Sequence, residues 1–107
     1  MNIIRTQRYL KDLKRMGVSE FERAALEEAI AINPEAGDVI PGLEGLRKIR
    51  FAMRNRGKRG GGRAIYYLMM SDETALMITA YAKNEREDLS SDQKKAIVAL
   101  LREFKNG

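Results

Sequence analysis

Three runs rich in Ile, Tyr, Phe and Met follow one another in the second half of this sequence, at about 46–53, 63–70 and 74–83. The last two are separated only by Ser71, Asp72 and Glu73 of "MMSDETAL", a hairpin turn, so they are expected to pair antiparallel. The first two are joined by "RNRGKRGGG", a charged loop closed by glycines. Between Arg47 and Arg63 the chain holds eight Lys or Arg residues and no acid, yet this segment begins and ends in residues suited to burial. Any sheet built here must carry dense positive charge beside its own core.

The rest of the chain supplies helices for that sheet. Residues 2–5 read as a short first strand. "TQRYLKDLKRMG" places Tyr9, Leu10, Leu13 and Met16 on one helical face, with Thr6 as N-cap and Gly17 as the stop. In "SEFERAALEEAIAINP", Ser19 and Glu22 form a capping box, Phe21, Ala25, Ala29 and Ile32 form an apolar stripe, and Pro34 forbids continuation. "EAGDVIPGLEG" is a turn-rich connector. Ser90 and Gln93 form a second capping box, opening a helix in which Ile97, Leu100, Leu101 and Phe104 recur at helical spacing. The expected fold is α+β: an N-terminal helical hairpin packed on a small, twisted, mainly antiparallel sheet, with a C-terminal helix. At 107 residues the chain is expected to be a single domain, 1–107.

The charge is clustered. Lys and Arg number 20 against 15 Asp and Glu, a formal net charge of +5; without the eight basic residues of 47–63, 12 would face 15, or −3. All of the excess lies in one segment, the footprint of a polyanion partner. The absence of cysteine excludes disulfides and thiolate chemistry. No run approaches the ~20 apolar residues of a membrane span, and the N-terminus is too polar for a signal peptide. A soluble, cytoplasmic protein with no membrane partner is expected. Without histidine, a His–His acid/base pair is impossible, as is a metal site built on His or Cys. Glu85, Glu87, Asp88 and Asp92 lead into the last helix, where acids complement the helix dipole. No metal or cofactor is expected.

Strand alternation orients the basic residues. Lys48 and Arg50 point one way, while Arg47, Ile49 and Phe51 point the other. Arg63, Ile65 and Tyr67 share a side, as do Thr79, Tyr81 and Lys83. In a favourable register, Lys48, Arg50, Arg63, Tyr81 and Lys83 converge at one end of one sheet face, with Arg54, Arg56, Lys58 and Arg59 above them in the loop. Glycines 60–62 would let backbone approach a phosphate. The same charges also have a plainer reading, in which edge strands and loops carry Lys and Arg against aggregation. Tyr66, Tyr67 and Met69 read as core residues rather than base-stacking platforms. Arg and Lys without His can support metal-free RNA cleavage by the 2′-hydroxyl, provided that the RNA is held in position: Arg grips the phosphate and Lys moves protons.

"GDVIPGLEGLRKIRFA", "RGKRGGGRAIYYLM" and "YAKNEREDLS", in this order and spacing, resemble the RelE/HigB toxins of bacterial type II toxin–antitoxin systems. The resemblance covers most of the chain. It implies an endoribonuclease, an mRNA interferase that cleaves message in the ribosomal A site and is neutralised by a cognate antitoxin. It matches Lys48 and Arg50 to the family's basic pair, Arg63 to its phosphate-stabilising arginine and Lys83 to a further basic position. Two departures stand out: Asn84 occupies a position where some members have arginine, and no tyrosine follows Tyr81. Tyr81, a lysine or ribosomal RNA is left as the proton donor. The candidate catalytic set is therefore Arg63, Lys48, Arg50, Lys83 and Tyr81, with Arg47, Arg54, Arg56, Lys58 and Arg59 as RNA- or ribosome-binding residues. Two other readings stay open, a related-fold toxin acting on gyrase and a non-catalytic RNA- or ribosome-binding module. The nuclease reading requires that Lys48, Arg50 and Arg63 share one face of the sheet.

Overall fold

The computed structural model describes residues 1–53, 61–69, 71, 73–85 and 88–106. Along the chain run β1 (Asn2–Arg5), α1 (Gln7–Met16), α2 (Glu20–Ile32), β2 (Asp38–Val39), β3 (Arg47–Phe51), β4 (Gly62–Met69), β5 (Thr74–Ala82) and α3 (Ser91–Asn106). The strand order is β1-β5-β4-β3-β2. β1 pairs parallel to β5, and the other pairs are antiparallel. The sequence of β5, TALMITAYA, does not alternate, and the strand is buried from end to end. That is the pattern of a central strand covered on both faces.

Two apolar clusters provide the cover. Tyr9, Leu13 and Met16 of α1 and Leu26 and Ile30 of α2 pack with Ala64, Tyr66, Ala75 and Met77 on one face. Ile97 and Leu101 of α3 pack with Leu46, Ile65, Leu76 and Ile78 on the other. Local chemistry fixes the helix ends as expected. The Thr6 side chain accepts from the Tyr9 N–H, and Gly17, at φ +76°, closes α1 in the left-handed region. Ser19 and Glu22 form their reciprocal capping box, as do Ser90 and Gln93.

The structure departs from expectation on α2. Phe21 and Ile32 are 83% and 78% exposed, and Ala25 and Ala29 are exposed with them. The buried side of the helix is Leu26, Glu27 and Ile30. An acid in the buried face hides that face from a reading by hydrophobicity. Glu27 is tolerated because it is satisfied: Arg5 donates to it through Nη2 at 2.6 Å, Arg23 through Nη1 at 2.8 Å and the Tyr9 hydroxyl at 2.9 Å. Burial, then the Glu27 charge, pushes the Tyr9 phenol well above its ordinary value. The Glu27 hydrogen bond raises Arg5. Leu10, also expected in the core, is 43% exposed. The connector contains a strand that its turn residues conceal, β2, which pairs Asp38 with Lys48 and Val39 with Arg47. Asp72 of the expected hairpin turn lies outside the described residues.

One irregularity sets the register at the far end of the sheet. Ile65 pairs with Thr79, but Tyr66 pairs with Met77, so β5 carries one extra residue, Ile78. The start of α1 secures this bulge. The Thr6 hydroxyl donates to the Ile78 carbonyl at 2.9 Å, and the Asp12 carboxylate accepts from the Ala80 N–H at 3.1 Å and from the Thr79 hydroxyl. Asp12→Ala strands these donors and should cost ~1–3 kcal/mol, read by urea unfolding with an unchanged m value. Asp12→Asn, which keeps one acceptor, should cost less. Equal stability of Asp12→Ala and wild type would show that the bulge does not depend on this contact.

Candidate functional site

Register brings the expected basic residues of the strands together. Arg50 stands directly opposite Arg63, and Arg63 stands opposite Tyr81. Lys48, two residues before Arg50, shares its face by alternation and pairs in register with Ile65. Lys48, Arg50 and Arg63 thus occupy one face, where α3 covers the neighbouring Ile65, Leu76 and Ile78. Lys83 follows β5 directly. Its backbone N–H donates to the Gly61 carbonyl at 3.0 Å, which fixes it beside the start of β4.

Burial and charge are opposed at Arg63. This residue is only 7% exposed. Burial lowers its guanidinium below the ordinary arginine value, the Arg50 charge lowers it further, and Tyr81 acts in the opposite sense. Its Nη1 donates to the Gly62 carbonyl at 3.0 Å. The cation is therefore held in a fixed pose by packing rather than waving on a solvated stem. Tyr81, a candidate proton donor from the sequence, is 2% exposed and belongs to the apolar cluster beneath α3.

The other candidates divide. Arg47 points to the opposite face, where its Nη1 donates to the Gly37 carbonyl at 2.8 Å and to the Glu35 carbonyl at 3.4 Å. There it braces the connector and does not join the basic row. Arg54, Arg56, Lys58 and Arg59 lie outside the described residues. The acids before α3 do more than complement its dipole. Glu85 bridges to Arg15 of α1 at 2.6 Å, and Asp88 lies 3.9 Å from Lys48 and from Lys94. Glu87 lies outside the described residues. Among the described residues, no group of three or more His, Cys, Asp or Glu could hold a metal ion.

A groove runs from this basic face to α2. Lys48, Arg50, Arg63 and Lys83 line it together with Phe21, Ala25 and Ala29. Part of the exposed stripe of α2, which its period suggests for the core, thus lines a groove shared with these cations and with the acids Glu22 and Asp38. A 3.6-residue period finds such a stripe but does not say which side of it is solvent. Gly62 also has a different role from the one expected. A Cβ there would lie 2.3 Å from Cζ of Phe51, so this glycine makes room for an aromatic ring rather than for a phosphate.

Comparison with known proteins places the chain in a family and a fold. The family model describing the RelE toxin of the RelE/RelB toxin–antitoxin system matches residues 1–106. Among solved structures, the isolated E. coli RelE toxin is 16% identical with a TM-score of 0.55, over 92% of this chain and 97% of that one. A mutant of E. coli toxin RelE in the free state is 19% identical with a TM-score of 0.55, over 80% and 86% of the two chains. The intact E. coli RelBE toxin–antitoxin complex contains a chain 19% identical with a TM-score of 0.51, over 74% of this chain and 92% of that one. At these identities the likeness is one of fold.

Gly62→Ala forces its methyl into the Phe51 ring and should destabilise the protein by ~1–3 kcal/mol, as overpacking does. Combining it with Phe51→Leu should recover part of that loss, a negative coupling measurable in a double-mutant cycle by thermal unfolding. Strict additivity would mean that the ring is not what excludes a side chain at position 62.

Proposed function

The chain belongs to the RelE toxin family, and from that premise we propose that it is a ribosome-dependent mRNA endoribonuclease. In this reading it inhibits translation by cutting message in the ribosomal A site, and residues 1–107 act as one toxin unit. The observation that carries the reading is Arg63. A 7% exposed arginine stands directly opposite a second arginine, and both line the groove. Two forked donors so placed suit a phosphate held between them.

The reaction needs no group beyond the chain, the message and the ribosome. A base takes the proton of the 2′-hydroxyl, and its oxygen attacks the adjacent phosphorus. The bond to the 5′-oxygen breaks, and that oxygen leaves with a proton, giving a 2′,3′-cyclic phosphate and a 5′-hydroxyl. Arg63 and Arg50 offer forked donors to the phosphorane, whose charge exceeds that of the ground state, so their contribution grows towards the transition state. Lys48 and Lys83 line the groove and are the residues assigned to proton transfer. Tyr81 is buried under α3, and its part is to steady Arg63. The ribosome supplies what the groove lacks, a message held in an in-line geometry.

The partners come from the same reading: the ribosome with its mRNA, and a cognate antitoxin of the kind that the E. coli RelBE complex contains. The setting is the cytoplasm. No described helix is long and apolar enough to cross a membrane.

Adding the protein to a purified translation reaction and mapping mRNA ends tests the proposal. Wild type should produce new ends within the A-site codon. Arg63→Ala should cut ~10²–10³-fold more slowly, the usual effect of losing one preorganised transition-state donor, while still binding ribosomes. Blocked translation with intact message would identify a binding module instead. Unaffected translation with impaired DNA supercoiling would identify a gyrase poison.

A further inference from the structure

We propose that the Asp88 carboxylate marks a second phosphate subsite, formed by Lys48 and Lys94, which an RNA phosphodiester adjacent to the cleaved one enters by displacing Asp88. The proposal rests on the nuclease reading and extends its site to a residue of α3 that neither the strand pattern nor the family motifs single out.

Lys48 lies on β3 and Lys94 in the first turn of α3, elements far apart in sequence. Both ammonium groups turn towards one anion: Asp88 Oδ1 is 3.9 Å from Lys48 Nζ, and Oδ2 is 3.9 Å from Lys94 Nζ. Neither separation is a hydrogen bond, since charge-assisted N–H···O contacts close to ~2.7–2.9 Å. Among the described residues, the close contact of the carboxylate is with its neighbour, as Oδ1 accepts from the Leu89 N–H at 2.8 Å. Leu89 is itself buried, which pins the backbone there. Asp88 thus acts as a resident counter-ion, placed between two cations without being locked to either.

Exposure makes it replaceable. The side chains of Lys48, Asp88 and Lys94 are 33%, 58% and 39% exposed. Ion pairs this open contribute little to stability, so exchanging one partner costs little. A phosphodiester, like a carboxylate, presents two anionic oxygens on one centre, and it can approach each lysine to hydrogen-bonding distance.

The subsite also continues the basic row. Lys48 and Arg50 are two residues apart on one face of β3, roughly 7 Å at the rise of a strand. That spacing is of the same order as the separation of successive phosphates along a nucleic-acid strand. One phosphate between Arg50 and Arg63 therefore places the next near Lys48, and the track runs on to Lys94.

The test uses ribosomes programmed with a message whose A-site codon is 2′-O-methylated, so that binding is read without cleavage, across a salt series. Asp88→Asn removes the competing charge at constant shape. It should bind ~2–5-fold tighter than wild type at low salt. Its plot of log affinity against log salt should steepen by up to about 0.7, the value for one single-strand phosphate contact, because a subsite that Asp88 no longer contests is filled more completely. Adding Lys94→Ala to Asp88→Asn should cancel both changes, and Lys94→Arg should keep them. Unchanged or weaker binding by Asp88→Asn would overturn the subsite, as would a gain that survives Lys94→Ala. Either result with a wild type that still binds and cuts A-site codons would leave the nuclease reading standing. A wild type that does not bind programmed ribosomes would remove both.

Discussion

A single extra residue in β5 decides which face of the sheet carries Tyr81. Counting in twos from Met77, which packs against the helical hairpin, would put Tyr81 on that same side. The bulge at Ile78 resets the count, and Tyr81 comes to stand opposite Arg63, with the cluster under α3. An extra residue in a fully buried strand leaves ladder groups without strand partners, and those groups must be satisfied locally. Thr6 takes the Ile78 carbonyl, and Asp12 takes the Ala80 N–H. The first helix therefore does two jobs. It covers the sheet with Tyr9, Leu13 and Met16, and it holds the irregularity that completes the surroundings of Arg63.

With this geometry fixed, the charge on the sheet becomes intelligible. Three cations on one face repel one another, and burying Arg63 adds a desolvation cost. A surface loop would relax such a cluster by splaying its side chains. A strand register cannot, because moving Arg63 away from Arg50 would mean shifting β4 against β3 and against the fully buried β5. Rigidity of the scaffold is what holds the two arginines side by side. The fully covered β5 and the ring of Phe51 lying where a side chain at Gly62 would be are parts of that rigidity.

Legibility in the sequence tracks the range of the interactions concerned. Both capping boxes, the Gly17 stop and the three long strands are legible, because each is set by residues within a few positions of one another. The shared face of Lys48, Arg50 and Arg63 is legible too, since alternation along β3 and β4 is undisturbed there. The orientation of α2 is not. Its buried face contains Glu27, and nothing local indicates that Arg5, from another element, and Tyr9 come to meet that carboxylate. Arg47 misleads for a related reason. Its positive charge draws it into the basic cluster, whereas its position one residue from Lys48 sends it to the other face and to the Gly37 carbonyl. The bulge leaves no trace in composition, and a two-residue strand such as β2 exists only through its partner.

The acids around the site complete the electrostatic argument. Outside residues 47–63 the chain has 15 acids and 12 bases, so the basic face looks onto a mildly acidic remainder. Part of that acidity is stationed close by. Asp38 stands across from Lys48 in register, and Asp88 lies between Lys48 and Lys94. Neither of these acids is buried, whereas the acid that the fold depends on, Glu27, is buried and tightly bonded. The acid that holds the fold and the acid beside the basic row thus differ in depth. The bonds of buried Glu27 fix the helices to each other and to β1. Exposed Asp88, at 3.9 Å from Lys48 and from Lys94, lowers the repulsion at the end of the basic row without locking either lysine.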